Sequence, residues 1–398
     1  MTDTVPEAVV HPTTRSCPFD PPDGLGQLRE ERPLTRMRYP DGHVGWLVTG
    51  HALAREVLAD PRFGSRGDLL RAPVPLAMAQ PHSEIPPGMF TAMDPPEHTR
   101  YRRKLAGGFT VRRMRLLEPR ITQVVEEHLD RMQDGGGPVD LVSAFAVPVS
   151  LRVISELLGV PAEQQHRFLE ATEVVFTMGA DAEQVVAGWE AMRALLLELV
   201  EIKRSAPAED LLSTLVADGE LTDQELITVG TLLIMAGHDT SANMLALGAH
   251  ALLQNPAELA ELQADPALLD GAVEELLRYL TVPHVGSIRA ALADFEFHGE
   301  SIKFGDVVTL SLAAANRDPA QFPDPDVLDV SRRATGHLAF GHGVHQCVGA
   351  QLARIELRVG FGALLRRFPT LRLAVPPEEV EMRHDMIIYG VRSLPVTW

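Results

Sequence analysis

From Thr222 to Pro256 the chain reads "TDQELITVGTLLIMAGHDTSANMLALGAHALLQNP", and no other segment limits the available folds so strongly. Thr222 is a good helix N-cap, Glu225 follows three residues on as a capping box requires, and Pro256 ends the pattern. A helix of just over ~30 residues is predicted, roughly 50 Å long at 1.5 Å per residue. It is apolar on most faces, so it must cross the middle of a large helical domain.

The remaining pattern fits around it. Met37–Gly50 reads as a β-hairpin turning at Pro40-Asp41-Gly42, and "HALAREVLAD" as a helix that stops before Pro61. From Pro96 to about Leu277 the signal is mostly helical. It is broken at Gly135–Gly137, near Gly159-Val160-Pro161 and at Ala206-Pro207. Short alternating runs after Pro283 read as strands, "CVGAQLARIELRVGFGALLRRF" as helix, and "MIIYGVRSLPVTW" as a closing strand. The fold class is therefore mainly α, with a small β region at about 36–50, 283–312 and 385–398. No internal linker or repeat divides 1–398, so one large domain is expected, with 1–23 as an extended Pro-rich arm.

The balance of 36 basic against 54 acidic residues, −18 net, disfavours a nucleic-acid partner but leaves room for a local basic face. No apolar run suits a membrane span, and "MTDTVPEAVV" lacks the basic and apolar regions of a signal peptide. Only Cys17 and Cys347 carry thiols, which fits a reducing cytoplasm.

Cys347 lies in "FGHGVHQCVG", Phe340 to Gly349. Zinc would want four ligands, and His342, His345 and Cys347, with His337 nearby, lack a second Cys/His pair. A buried inert cysteine would leave Gly341, Gly343 and Gly349 unexplained. Those glycines permit unusual backbone angles and a close approach to a flat ligand. Helical pattern begins just past Cys347, and a helix N-terminus favours thiolate. Such a thiolate suits the axial position of a haem iron.

The stretch resembles the haem loop of the cytochrome P450 family, F-x-x-G-x-(H/R)-x-C-x-G, with every fixed position filled. Phe340, Gly343, His345, Cys347 and Gly349 are those positions, and the resemblance implies that Phe340 and Gly341 also lie against the cofactor. The resemblance implies Cys347 as iron ligand of haem b. It extends from about Gly24 to the C-terminus, in the manner of the soluble actinomycete members. Glu275 and Arg278 of "EELLR", with Arg332, match the family's buried structural triad. His98 and Arg102 of "MDPPEHTRYRRKL", with Arg289 and His345, match the partners of the haem propionates. Asp239 and Thr240 of "AGHDTSAN" match the acid–alcohol pair that serves proton delivery to oxygen. The ordinary alternative there is a back-bonded Thr and a solvent-facing Asp. Ala236 and Gly237 are small enough for a flat ligand to approach the helix.

The resemblance implies a monooxygenase that hydroxylates or epoxidises a lipophilic molecule with O2 and two electrons. No nicotinamide or flavin fingerprint is present, so a ferredoxin and ferredoxin reductase are the expected donors. Arg102, Arg103, Lys104, Arg112, Arg113, Arg354 and Arg358 would form the ferredoxin's docking face. Peroxide-driven oxidation, oxidative coupling and haem sensing are the alternatives. The intact Asp239-Thr240 pair argues against peroxide use. The resemblance implies a substrate pocket lined by 71–91, by Leu233 to Ala236, by Val282 to Val285, and by Ile387 and Ile388, an apolar lining. A monomer without membrane contact is expected, and Cys17 reads as an ordinary thiol.

Overall fold

The central helix runs Asp223–Gln254, 32 residues, in the computed structural model, which describes residues 8–76, 85–178 and 180–398. A complete capping box fixes its start: Thr222 Oγ1 accepts from the Glu225 N–H, and the Glu225 carboxylate accepts from the Thr222 N–H at 2.8 Å. A cap of this kind contributes about 1 kcal/mol. The Glu225 carboxylate also accepts from the Tyr101 hydroxyl at 2.6 Å and pairs with Arg100. Burial works against charge on Glu225, but these donors outweigh it and hold the carboxyl down at about 2. The helix Glu97–Ala106, which carries His98 and Arg102, is thereby fastened to the start of the central helix.

Helices Val147–Leu158, Ala182–Ser205 and Ala350–Arg367 pack around the central helix, and most of its side chains are buried in the main core. Val147–Leu158 ends at Gly159 with φ +77, a left-handed cap that costs glycine no steric clash. No helix among the described residues is long and apolar enough to cross a membrane.

A six-stranded sheet joins the N-terminal part of the chain to the segment 287–310, in the order Val9–Val10, Leu34–Arg38, Val44–Val48, Val307–Leu310, Ser287–Ala291, Phe63–Gly64. Leu34–Arg38 and Val44–Val48 are the expected hairpin. The next strand, Val307–Leu310, runs parallel to Val44–Val48 and sets Arg289 opposite Val308. A second, smaller core around Trp46 and Phe63 lies under this sheet. Residues 1–7 of the N-terminal arm lie outside the described residues. The rest of the arm is docked: Val9–Val10 pairs with Met37–Arg38, and His11 and Arg15 are buried.

The closing segment departs from expectation. Within 385–398 only Pro395–Thr397 is strand, paired with Arg372–Leu373 and Val139–Asp140. Residues before it form a folded turn in which Arg383 N–H donates to Gly390 O at 2.9 Å and Arg392 N–H to Glu381 O at 2.7 Å. Gly390 allows this by lying against Asn243 of the central helix, where a Cβ would come within 1.9 Å of Asn243 Oδ1.

Candidate active site

A cavity of ≈ 270 Å³ opens between the central helix and the cysteine loop. Ala236, Gly237, Thr240, Ser241 and Met244 line it from the helix, and Phe340, Gly341, Cys347 and Gly349 from the loop. Ala236 is exposed and Gly237 and Thr240 half-buried, in a helix otherwise almost wholly buried. Gly237 contributes backbone to the lining, but its missing side chain serves a different contact. A Cβ there would meet Ile154 Cδ1 at 2.7 Å, so this glycine lets the helix Val147–Leu158 pack close.

The cysteine loop is closed by Cys347 N–H donating to Phe340 O at 2.9 Å. Gly343 has φ +73, and a Cβ there would lie 2.4 Å from the Leu58 carbonyl oxygen. Both the angle and the space require glycine. The helix begins at Ala350 with Gly349 as its cap, so Cys347 lies just ahead of the helix N-terminus. Cys347 is a free, exposed cysteine, but its exposure is to the cavity. Dense protein surrounds it otherwise, and burial pushes the thiol above its ordinary range. The N–H groups of Gly349 and Ala350, with Arg102 and Arg354, pull the other way and favour thiolate. Arg354 also stacks over Phe340 at 4.6 Å while bound to Glu274 at 2.6 and 2.9 Å. No zinc site forms: His337 pairs with Glu274 at 3.1 Å. Among the described residues no three His, Cys, Asp or Glu side chains come together as a metal site.

The rings of His98 and His345 lie tilted against each other, with centroids 4.2 Å apart. Both ring nitrogens of His98, and Nε2 of His345, are buried without a hydrogen-bond partner. Burial first, then His345 and Arg102, pushes His98 down to about 4. Burial also lowers Arg102, and brings Arg289 down to about 10. Arg289 donates from Nη1 to the Ile288 carbonyl at 2.8 Å. Asp94 is the acid among them, unnoticed in the sequence. Its Oδ1 takes the Ser65 N–H at 2.7 Å and stands 3.9 Å from His345, too far for a hydrogen bond. An unpaired buried polar group costs about 1–3 kcal/mol. Such a cluster of basic groups and unmet donors calls for anionic oxygens the chain does not supply. The two carboxylates of a haem fit that demand.

The triad is assembled: Arg278 binds Glu275 through Nε and Nη2 at 2.6 and 2.7 Å, and Arg332 Nε reaches the same carboxylate at 3.1 Å. Arg278 also donates to the carbonyls of Asn316 and Pro325. These bonds tie the helix Leu269–Leu280 to the chain between 316 and 327.

Thr240 lines the cavity and donates to the Ala236 carbonyl at 2.8 Å, the bond expected of any helical Thr. Asp239 is buried, not solvent-facing, and pairs with Arg383 at 2.7 Å. Arg383 carried no signal, being one charge in the mixed run "EMRHD". Of the expected pocket residues Ala236, Val282 and Pro283 line the cavity. Leu233 is buried in the main core one turn earlier, and Val285 lies outside the lining. Ile387 and Ile388 act through backbone instead: Ile387 O accepts from His284 N–H at 2.9 Å, and Ile388 bridges to Pro283. Residues 77–84 of the expected 71–91 wall, Pro81 included, lie outside the described residues.

The family model for cytochrome P450 matches residues 148–388. The chain belongs to the cytochrome P450 family. Over 399 residues it is 49% identical to cytochrome P450 105C1 of a Streptomyces species, with both chains covered in full. It is 42% identical to the vitamin D3 dihydroxylase of Streptomyces griseolus, again over the whole of both. The crystal structure of CYP105P1 in complex with filipin I matches with TM-score 0.92 and 45% identity, over 98% of this chain and 99% of that one. This P450 is accordingly a monooxygenase with a haem-iron cofactor.

Proposed function

We propose that this P450 hydroxylates or epoxidises a lipophilic small molecule, taking one atom of O2 into product and releasing the other as water. Two electrons come from a ferredoxin and its reductase. Haem b, when bound, supplies the binding and activation of oxygen. Cys347 would hold its iron, and His98, Arg102, Arg289 and His345 its propionates. The Gly349 and Ala350 N–H groups favour negative charge on the sulfur. Thr240 offers a hydroxyl to the cavity, and Asp239, next to it in sequence, is the acid that would pass it a proton. The protein works as a monomer in the cytoplasm.

One observation carries this reading: Cys347 and Thr240 line a single cavity from two different elements. Met244, Val282, Pro283, Leu312 and Ala339 make much of its remaining wall apolar. A relative named for dihydroxylating vitamin D3 supports the substrate class. The test is a screen of the haem-loaded protein for ligands that shift its optical spectrum to the high-spin form. Apolar multi-ring compounds are expected to do so. If only small hydrophilic molecules give the shift, the substrate class is wrong.

A further inference from the structure

Asp239 precedes the cavity-lining Thr240, yet its carboxylate is committed elsewhere. Oδ1 accepts from Arg383 Nη1 at 2.7 Å and from Asn243 Nδ2 at 3.1 Å, while Oδ2 is buried without a partner. The two side chains of the ion pair are 7% and 14% exposed, so little water competes for either. The attraction within so shielded a pair is little screened, and removing either partner would leave the other charge buried and uncompensated. Asp239 is absent from the cavity lining that includes Thr240 on the next position.

Arg383 stands at one end of a closed turn. Its N–H donates to Gly390 O, Met382 bridges to Val391, and Gly390 is pressed against Asn243. The same turn is stitched to the cavity wall. Tyr389 N–H donates to Val282 O at 2.8 Å, His284 N–H to Ile387 O at 2.9 Å, and Ile388 bridges to Pro283. Val282 and Pro283 line the cavity. One folded turn thus carries the counter-ion of Asp239 and backs the wall that a substrate would press.

We propose that Arg383 is a positioning residue for proton supply: it holds the Asp239 carboxylate off the cavity, and the turn 382–391 makes that hold depend on what fills the cavity. This rests on the monooxygenase reading above. With nothing against Val282 and Pro283, Asp239 stays withdrawn and few protons reach oxygen. A substrate against that wall moves the turn, loosens the pair and lets Asp239 serve Thr240. The ligand acts only through its different fit to the two arrangements, as any population shift must. The arrangement suppresses a wasteful reaction, in which O2 takes two electrons from NAD(P)H and two protons and leaves as hydrogen peroxide.

The experiment uses the haem-loaded protein with a ferredoxin and reductase, and no substrate. Arg383→Gln is expected to raise NAD(P)H consumption and peroxide release by about fivefold or more, the lower range of ordinary allosteric couplings. Arg383→Lys, which keeps the charge, should stay close to wild type. The double variant Asp239→Asn/Arg383→Gln should show no rise, because the effect passes through Asp239. No rise in Arg383→Gln, or a rise that survives in the double variant, overturns the proposal. Urea midpoints give a readout apart from turnover: each single variant should lower the midpoint, and the double by less than the sum. Additive midpoints overturn the pair. Filling the cavity with 4-phenylimidazole should change amide exchange at His284, Arg383 and Tyr389, and unchanged exchange overturns the link to the wall. A wild type that accepts no electrons from ferredoxin marks failure of the monooxygenase reading. The urea and exchange results then still decide this one.

Discussion

The Thr240 hydroxyl donates to the Ala236 carbonyl, and its oxygen keeps lone pairs for a second partner in the cavity that Cys347 also lines. Thr240→Ala removes that hydroxyl at a helical site where Ala is favoured over Thr by up to about 0.7 kcal/mol. Folding and haem content should therefore survive. Product formed per NAD(P)H oxidised should fall roughly fivefold, since positioned proton donors commonly contribute ~10²–10⁴ and water can replace part of that. Hydrogen peroxide, assayed alongside, should rise to match. Coupling equal to wild type would reduce Thr240 to a helix residue and turn attention to Ser241, which also lines the cavity. Residues such as Cys347, Thr240 and His98 were legible because each sits in a short fixed pattern. Arg383 was not, and Asp94 was passed over although it lies in the same run as His98. Each meets its partner across a sequence gap that no local pattern spans, Arg383 at Asp239 and Asp94 at Ser65.

At the scale of elements, the helix Ala350–Arg367 that follows the cysteine carries a buried acid. Glu356 is 1% exposed and accepts a hydrogen bond from the Ser150 hydroxyl on Val147–Leu158. Burial raises its carboxyl from 4.5 to about 7, against the pull of Ser150. The folded state therefore keeps a proton that the unfolded chain releases. Below about pH 4.5 both states are protonated and the site costs nothing. As pH rises toward 7 the cost grows, reaching the order of 3 kcal/mol and persisting above. Glu356→Gln keeps the shape and removes the titration. Its thermal midpoint should match wild type near pH 4.5 and exceed it by a few degrees at pH 8. An equal difference at both values would show that Glu356 does not titrate in this window. Elements were legible where chain chemistry is local, as with the capping box of the central helix and the Gly42 turn. The closing strand is confined to Pro395–Thr397 because the apolar run before it is spent on backing Val282, Pro283 and Asn243, a tertiary demand that periodicity does not record.

Across the whole molecule the −18 charge would repel an acidic electron donor, so productive docking needs a local exception. Three of the cations expected to form that exception are already paired. Lys104 binds Asp218 and Glu220, Arg354 binds Glu274, and Arg358 binds Glu118 and Asp270. Arg102 is half-buried and feels Cys347. Arg103, Arg112, Arg113 and Arg115 have no ion-pair partner among the described residues, and Val111 and Leu116 beside them are 50% and 72% exposed. Cations around exposed apolar side chains suit a small, transient protein contact. Arg103→Glu with Arg112→Glu should slow reduction by ferredoxin about tenfold at low salt, and the gap to wild type should narrow at 0.5 M salt as screening shortens below ~10 Å. Substrate dissociation constants should not move, because neither residue lines the cavity. Reduction rates that match wild type at low and at high salt would place the docking face elsewhere. Slower rates unaffected by salt would mean that the substitutions disturb the helix Glu97–Ala106, and through it His98 and Arg102, instead of a charged contact.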